Sequence, residues 1–96
     1  MLLLLAIAAQ RTVPPEQLAS WVQFTRAAAI EVPGVYDLAL YQKSASKKRR
    51  FWVALDVEDE RATAAFWDDP EVRKALQRGE RLGVQLIPQG HYQRLA

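Results

Sequence analysis

The chain contains no cysteine, which excludes a disulfide framework, a thiolate zinc site, an iron–sulfur cluster and a cysteine nucleophile. Histidine is almost as scarce: His91 is the only one, so neither a His-rich metal site nor a Ser–His–Asp pattern can be assembled from it with any specificity. An excess of one charge is also missing. The 13 Lys+Arg and 11 Asp+Glu leave a net charge of +2, with both signs spread along the chain, which gives little general attraction for nucleic acid or an anionic membrane surface. No apolar run approaches the roughly 20 residues that a membrane-spanning helix requires, and no glycine-rich phosphate loop is present. No metal, no cofactor, no nucleic acid and no membrane are therefore expected, and a cytoplasmic location is the simplest reading.

What the chain does have is apolar content. At 96 residues and 50% hydrophobic composition it can build one real core but not two, so residues 1–96 are expected to form a single domain. The run Met1-Leu2-Leu3-Leu4-Leu5-Ala6-Ile7-Ala8-Ala9 imitates the apolar part of a signal peptide, but it is short and lacks a basic start. A buried strand suits it better, and apolar residues at consecutive positions imply that both faces meet something dry.

Pro14-Pro15-Glu16 then fits a helix start. Leu18, Val22, Thr25 and Ala29 form the inward stripe, flanked by Trp21 and Ala28. Pro33-Gly34 enforces a stop. Strands are predicted over Val35–Gln42 and Phe51–Val57. Between them lies a polar loop carrying Lys43, Lys47, Lys48, Arg49 and Arg50, which reads as a hairpin loop kept soluble by charge, without the interleaved aromatics of a single-strand binder. Glu58, Asp59 and Glu60 open a second helix with Ala62, Ala65 and Phe66 inward. Asp68-Asp69-Pro70 interrupts it: Asp69 can cap and Pro70 can open a further helical piece carrying Val72, Ala75 and Leu76, with Gly79 placed to end it. A last strand begins near Leu82, and Pro88-Gln89-Gly90 is expected to bend it.

The order strand, helix, strand, strand, helix, strand is the ferredoxin-like βαββαβ arrangement, an α+β fold with a four-stranded antiparallel sheet. Right-handed crossovers put the helices on one face of that sheet. Strand three is apolar on both sides, with Phe51, Val53, Leu55 and Val57 on one and Trp52 and Ala54 on the other. A monomer would therefore expose a broad apolar face, and a homodimer closed through the sheet faces is the economical cover.

This order of elements, Pro33-Gly34-Val35 opening strand two, and the stretch Ala65-Phe66-Trp67-Asp68-Asp69-Pro70-Glu71-Val72 resemble the dimeric α+β barrel proteins, among them the antibiotic-biosynthesis monooxygenase and stress-responsive α/β-barrel groups. The resemblance covers nearly the whole chain and implies a pocket between helices and sheet in each subunit. It implies one of two functions: cofactor-independent, monooxygenase-like oxidation of an aromatic or enol substrate, or a non-catalytic, stress-related or ligand-binding barrel. Haem-degrading members of that fold carry an asparagine, a tryptophan and a histidine at positions that fall on Gln10, Trp67 and Gln77. Only the tryptophan is kept, and glutamine does not replace imidazole as an iron ligand.

Gln10, Asp56 and Trp67 are accordingly the candidate catalytic residues, and Trp21, Tyr41, Trp52 and Phe66 the candidate pocket residues for a small hydrophobic or aromatic ligand, with Phe24 a further aromatic. Asp56 near the end of strand three, like Asp37 within strand two, would be a general base if buried without a partner, and an ordinary ion-paired carboxylate otherwise. His91 has the intrinsic pKa of an acid–base group, with Tyr41 and Tyr92 as potential donors to an oxyanion. Each aromatic has core packing as its ordinary explanation. Trp67 is set apart by its place beside the helix break.

Overall fold

The structure, a computed structural model, describes residues 1–10, 12–42 and 50–96. The basic hairpin segment from Lys43 to Arg49 lies outside the described residues, as does Arg11. Four strands and three helices follow one another as β1 (Leu2–Ala9), α1 (Pro15–Ala29), β2 (Val35–Gln42), β3 (Phe51–Val57), α2 (Glu60–Asp68), α3 (Pro70–Leu82) and β4 (Val84–Tyr92). The sheet has the order β2-β3-β1-β4 with every pairing antiparallel. This is the ferredoxin-like arrangement, its second helix divided in two. The Cα envelope measures 34 × 34 × 17 Å, a slab two layers thick with helices on one face of the sheet.

The core lies between those layers. Leu3 and Leu5 of β1, Leu38 of β2, and Val53, Leu55 and Val57 of β3 point from the sheet into Leu18, Trp21 and Val22 of α1, Phe66 of α2 and Val72 of α3. In α1 the buried stripe is Leu18, Trp21, Val22, Thr25 and Ala29, the residues that the helical period selects. The Thr25 hydroxyl, which would otherwise be an unpaired buried group, donates back to the Trp21 carbonyl at 2.9 Å.

Three local expectations are corrected. Ala65 is exposed, and Thr63 takes the buried position in α2 beside Ala62 and Phe66. The helix does not end at Gly79: α3 continues to Leu82, and Gly83 at φ 87° closes it in the left-handed conformation that glycine tolerates. Gly79 instead sits inside the helix because Trp21 crosses α3 there, and a Cβ at Gly79 would fall on the indole ring. Finally, Pro88-Gln89-Gly90 does not bend β4 out of the sheet. The strand runs on to Tyr92, with a register shift where Leu4 pairs Gly90 and Leu5 pairs Pro88, and as an edge strand it accommodates both the bulge and the proline.

The predicted break at Asp68–Pro70 is present. Asp69 adopts an extended backbone (φ −66°, ψ 127°), and its Oδ1 accepts from the amides of Glu71 and Val72 at 3.0 Å each, while Pro70 needs no donor at the first helical position. Asp59 caps α2 in the same way, accepting from Ala62 N at 3.0 Å.

Candidate functional site

The break determines where Trp67 goes. Because α2 stops one residue after it, Trp67 ends its helix beside the start of α3, its ring edge-on to buried Phe66 with centroids 5.0 Å apart at 73°. Arg73, one turn into α3, donates from Nε to the Trp67 carbonyl at 3.1 Å and reaches Asp68 at 3.4 Å. The second indole arrives from α1: Trp21 donates from Nε1 to the Ala75 carbonyl at 2.8 Å, a buried bond joining residues 54 apart in sequence. Gly79 leaves room for the ring to lie against α3.

These two rings wall a cavity of about 280 Å³ at one end of the molecule, completed by Leu76 and Glu80 of α3 and by Val84, Gln85 and Leu86 of β4. A shallower depression of about 450 Å³ adjoins it, lined by Ala8, Ala9, Gln10, Gly83 and again Glu80 and Gln85. Gln10 packs over Gly83, where an added Cβ would stand 2.8 Å from the Gln10 Cδ, and the Gln10 backbone N–H donates to the Gly83 carbonyl at 3.1 Å. A smaller groove of about 190 Å³ opens on the other side of Trp21, between α1 and α3, with Phe24 and Arg78 on its walls. There the Arg78 guanidinium lies 4.6 Å from the Phe24 ring centre, a cation–π contact at the surface.

The candidate residues do not gather at one place. Trp67 and Trp21 line the inner cavity and Gln10 the adjoining depression. Phe66 is fully buried in the core and is absent from the walls of these cavities. Asp56 lies on the other face of the sheet from the core: its neighbours Leu55 and Val57 point into the helices, and it pairs in register with Leu2 and Asp37. Tyr41 and Trp52, paired with each other across β2 and β3, share that outer face. His91 is exposed overall, yet its Nε2 lies 2.9 Å from the Thr63 hydroxyl, tying the end of β4 to α2. Gln77 is exposed on α3. No histidine, methionine or tyrosine is among the described residues lining these cavities, so those walls do not fit a haem iron, which needs such an axial donor.

Asp37 is not a free base. Arg26 donates to its carboxylate at 2.7 Å, and this hydrogen bond, with a smaller contribution from the Leu38 amide, holds the Asp37 pKa below its ordinary value.

Glu80 was not among the residues that the sequence singles out. The signal was available: Glu80 follows Leu76 by four residues and so shares its helix face, provided that the helix runs past Gly79. Ending the helix at Gly79 concealed it.

No protein-family model and no curated protein matches the chain. Solved structures do. An Arabidopsis thaliana protein superposes with a TM-score of 0.74 at 10% identity, covering 99% of this chain and 98% of its own. A dimeric ferredoxin-like protein of unknown function from Thermobifida fusca gives 0.68 at 18% identity, with coverage of 94% and 89%. A candidate antibiotic biosynthesis monooxygenase from Nitrosomonas europaea gives 0.68 at 14% identity, with coverage of 97% and 100%. At such identities the likeness concerns fold alone, and one fold hosts many activities. In fold, then, this chain is a ferredoxin-like α+β domain, with a four-stranded antiparallel sheet under helices on one face.

Proposed function

We propose that this protein is a single-domain, homodimeric barrel that holds a small hydrophobic or aromatic molecule in the cavity between α3 and β4. The observation that carries the ligand reading is the makeup of that cavity: two indoles and two leucines around about 280 Å³, with Glu80 on the wall. Small-molecule sites have this character, apolar and aromatic walls with a few polar groups that fix orientation. The volume falls just below the usual range of roughly 300–1,000 Å³, which suits a small ligand.

The homodimer rests on the uncovered face of the sheet. Leu2, Tyr41, Ile87 and Tyr92 are exposed there, with Leu4, Ala6 and Trp52 half-buried between them. Soluble monomers seldom carry so continuous an apolar surface, and a second copy offers the same face in return. Asp56 belongs to that face, so any role it has lies at the interface between sheets and not in the α3–β4 cavity.

A second reading, cofactor-independent oxygenation of an aromatic or enol substrate, is favoured by Glu80 beside the aromatic walls and by the fold shared with the Nitrosomonas protein. In it Trp67 and Gln10 would position the substrate. An activated CH2 would become C=O, one atom of dioxygen entering the substrate and the other leaving as water with the two hydrogens. One experiment separates the readings. Hydroxylated aromatics are titrated into the protein while tryptophan emission and dissolved oxygen are followed together. Quenching that saturates, without oxygen uptake, supports the binding protein; uptake that depends on the protein supports the oxygenase. Absence of any saturable quenching would overturn both.

A further inference from the structure

We infer that the cavity selects an amphipathic aromatic ligand whose polar end is a hydrogen-bond donor, a hydroxyl or an ammonium, and that it turns away carboxylates. The inference rests on the proposed small-molecule site and names its ligand class. Two compartments meet there. The inner one has aromatic and aliphatic walls in Trp21, Trp67, Leu76, Val84 and Leu86, with the neutral Gln85 shared with the outer one. The outer one is open and built around Gln10 and Gly83. Glu80 lines both, and it is the one charged residue among the described residues on either wall.

The chemistry of a carboxylate decides the rest. It accepts hydrogen bonds and donates none. The ion pairs among the described residues are Arg26–Asp37, Arg73–Asp68 and Lys74–Glu71, and Glu80 is in none of them. A ligand seated with its rings between the indoles and its polar end toward the outer compartment would meet Glu80 at the junction. A hydroxyl or ammonium gains a charge-assisted hydrogen bond there. A carboxylate brings like charge beside Glu80 and loses affinity. Gln10, neutral and packed on Gly83, can donate or accept and does not discriminate between them.

The test uses the intact protein and four probes sharing one ring system: naphthalene, 2-naphthylmethanol, 2-naphthylmethylammonium and 2-naphthoate, with affinities measured by calorimetry. The alcohol and the ammonium should bind at least about tenfold more tightly than the carboxylate, the scale of a hydrogen bond to a charged group. Glu80→Gln, an exposed substitution that leaves the core intact, should narrow the gap to under about threefold, and Glu80→Lys should reverse the order. Equal affinities in the wild type, or a gap that survives Glu80→Gln, overturn the inference while naphthalene binding leaves the cavity reading standing. If neither naphthalene nor any derivative binds the folded protein, the cavity reading falls and the inference falls with it.

Discussion

The two faces of the sheet are made by the same four strands and have opposite fates. On one, Leu3, Leu5, Val53, Leu55 and Val57 are at most 2% exposed beneath the helices. On the other, Leu2 is 43% and Ile87 45% exposed, although nothing in their residue types distinguishes them from their buried neighbours. Hydrophobicity therefore does not choose the covered face. The hand of the two crossovers does, because both helices must return over the same side. What remains on the other side is a surface with the composition of a core and the exposure of a rim, and the proposed dimer follows from that imbalance.

The comparison can be broken most strongly from the covered side. Phe66→Ala should cost about 3–5 kcal/mol, since the ring is fully buried and its site is walled by backbone-fixed elements that relax little. Urea denaturation would report a lower midpoint at unchanged slope, and a loss below about 1 kcal/mol would show that the layer between helices and sheet is not close-packed. The bare face should respond differently. Ile87→Lys removes no core contact, so the fold should survive, yet the dimer should weaken by about 2 kcal/mol or more, roughly thirtyfold in dissociation constant, because a charge would stand on the apolar sheet face that the proposed partner covers. Sedimentation at micromolar concentration should find the wild type dimeric and the variant largely monomeric; a monomeric wild type would end the dimer proposal.

A smaller effect is expected where the two indoles meet α3. Gly79→Ala should destabilise by about 1–3 kcal/mol, the range for overpacking, since the new methyl must displace the Trp21 ring and stretch its bond to Ala75. Tryptophan emission should shift and ligand affinity should fall together, which a change in helix propensity alone would not produce, because alanine is the better helix former. The smallest effect concerns Asp37. Its folded pKa lies below the ordinary value of 3.8, so its ion pair with Arg26 adds stability above that value and loses it as pH falls from about 4 toward the lowered folded pKa. Both side chains are nearly half exposed, 42% for Arg26 and 48% for Asp37, so the contribution should stay under about 1 kcal/mol and shrink in salt. Comparing wild type with Asp37→Asn at pH 7 and pH 3 should show a small difference at the higher pH only; a difference that grew in acid would contradict the pairing.

Much of the fold could be read before the structure. The alternation in Phe51–Val57 separates the two faces of β3 correctly, the stripe Leu18-Val22-Thr25-Ala29 is the buried one, and Asp69-Pro70 divides the helix where capping chemistry says it should. Less of the site was legible. Trp67 could be singled out because a local signal, the helix break, stands beside it. Glu80 could not, because the apparent stop at Gly79 hid the last turn of α3. Asp56 and Trp67, considered together in the sequence, are separated by the thickness of the sheet, since side-chain direction in a strand reverses at every residue.

The sequence by itself determined the elements, their order and the one-sided topology, because periodicity, capping residues and crossover hand are local or nearly local properties. Only the tertiary structure decided that Gly79 is a seat for Trp21, that Gly83 is the real end of α3, and that a cavity opens where α1, α2, α3 and β4 converge. Those outcomes depend on side chains meeting across 54 residues of chain, and no window of sequence holds both partners of such a contact.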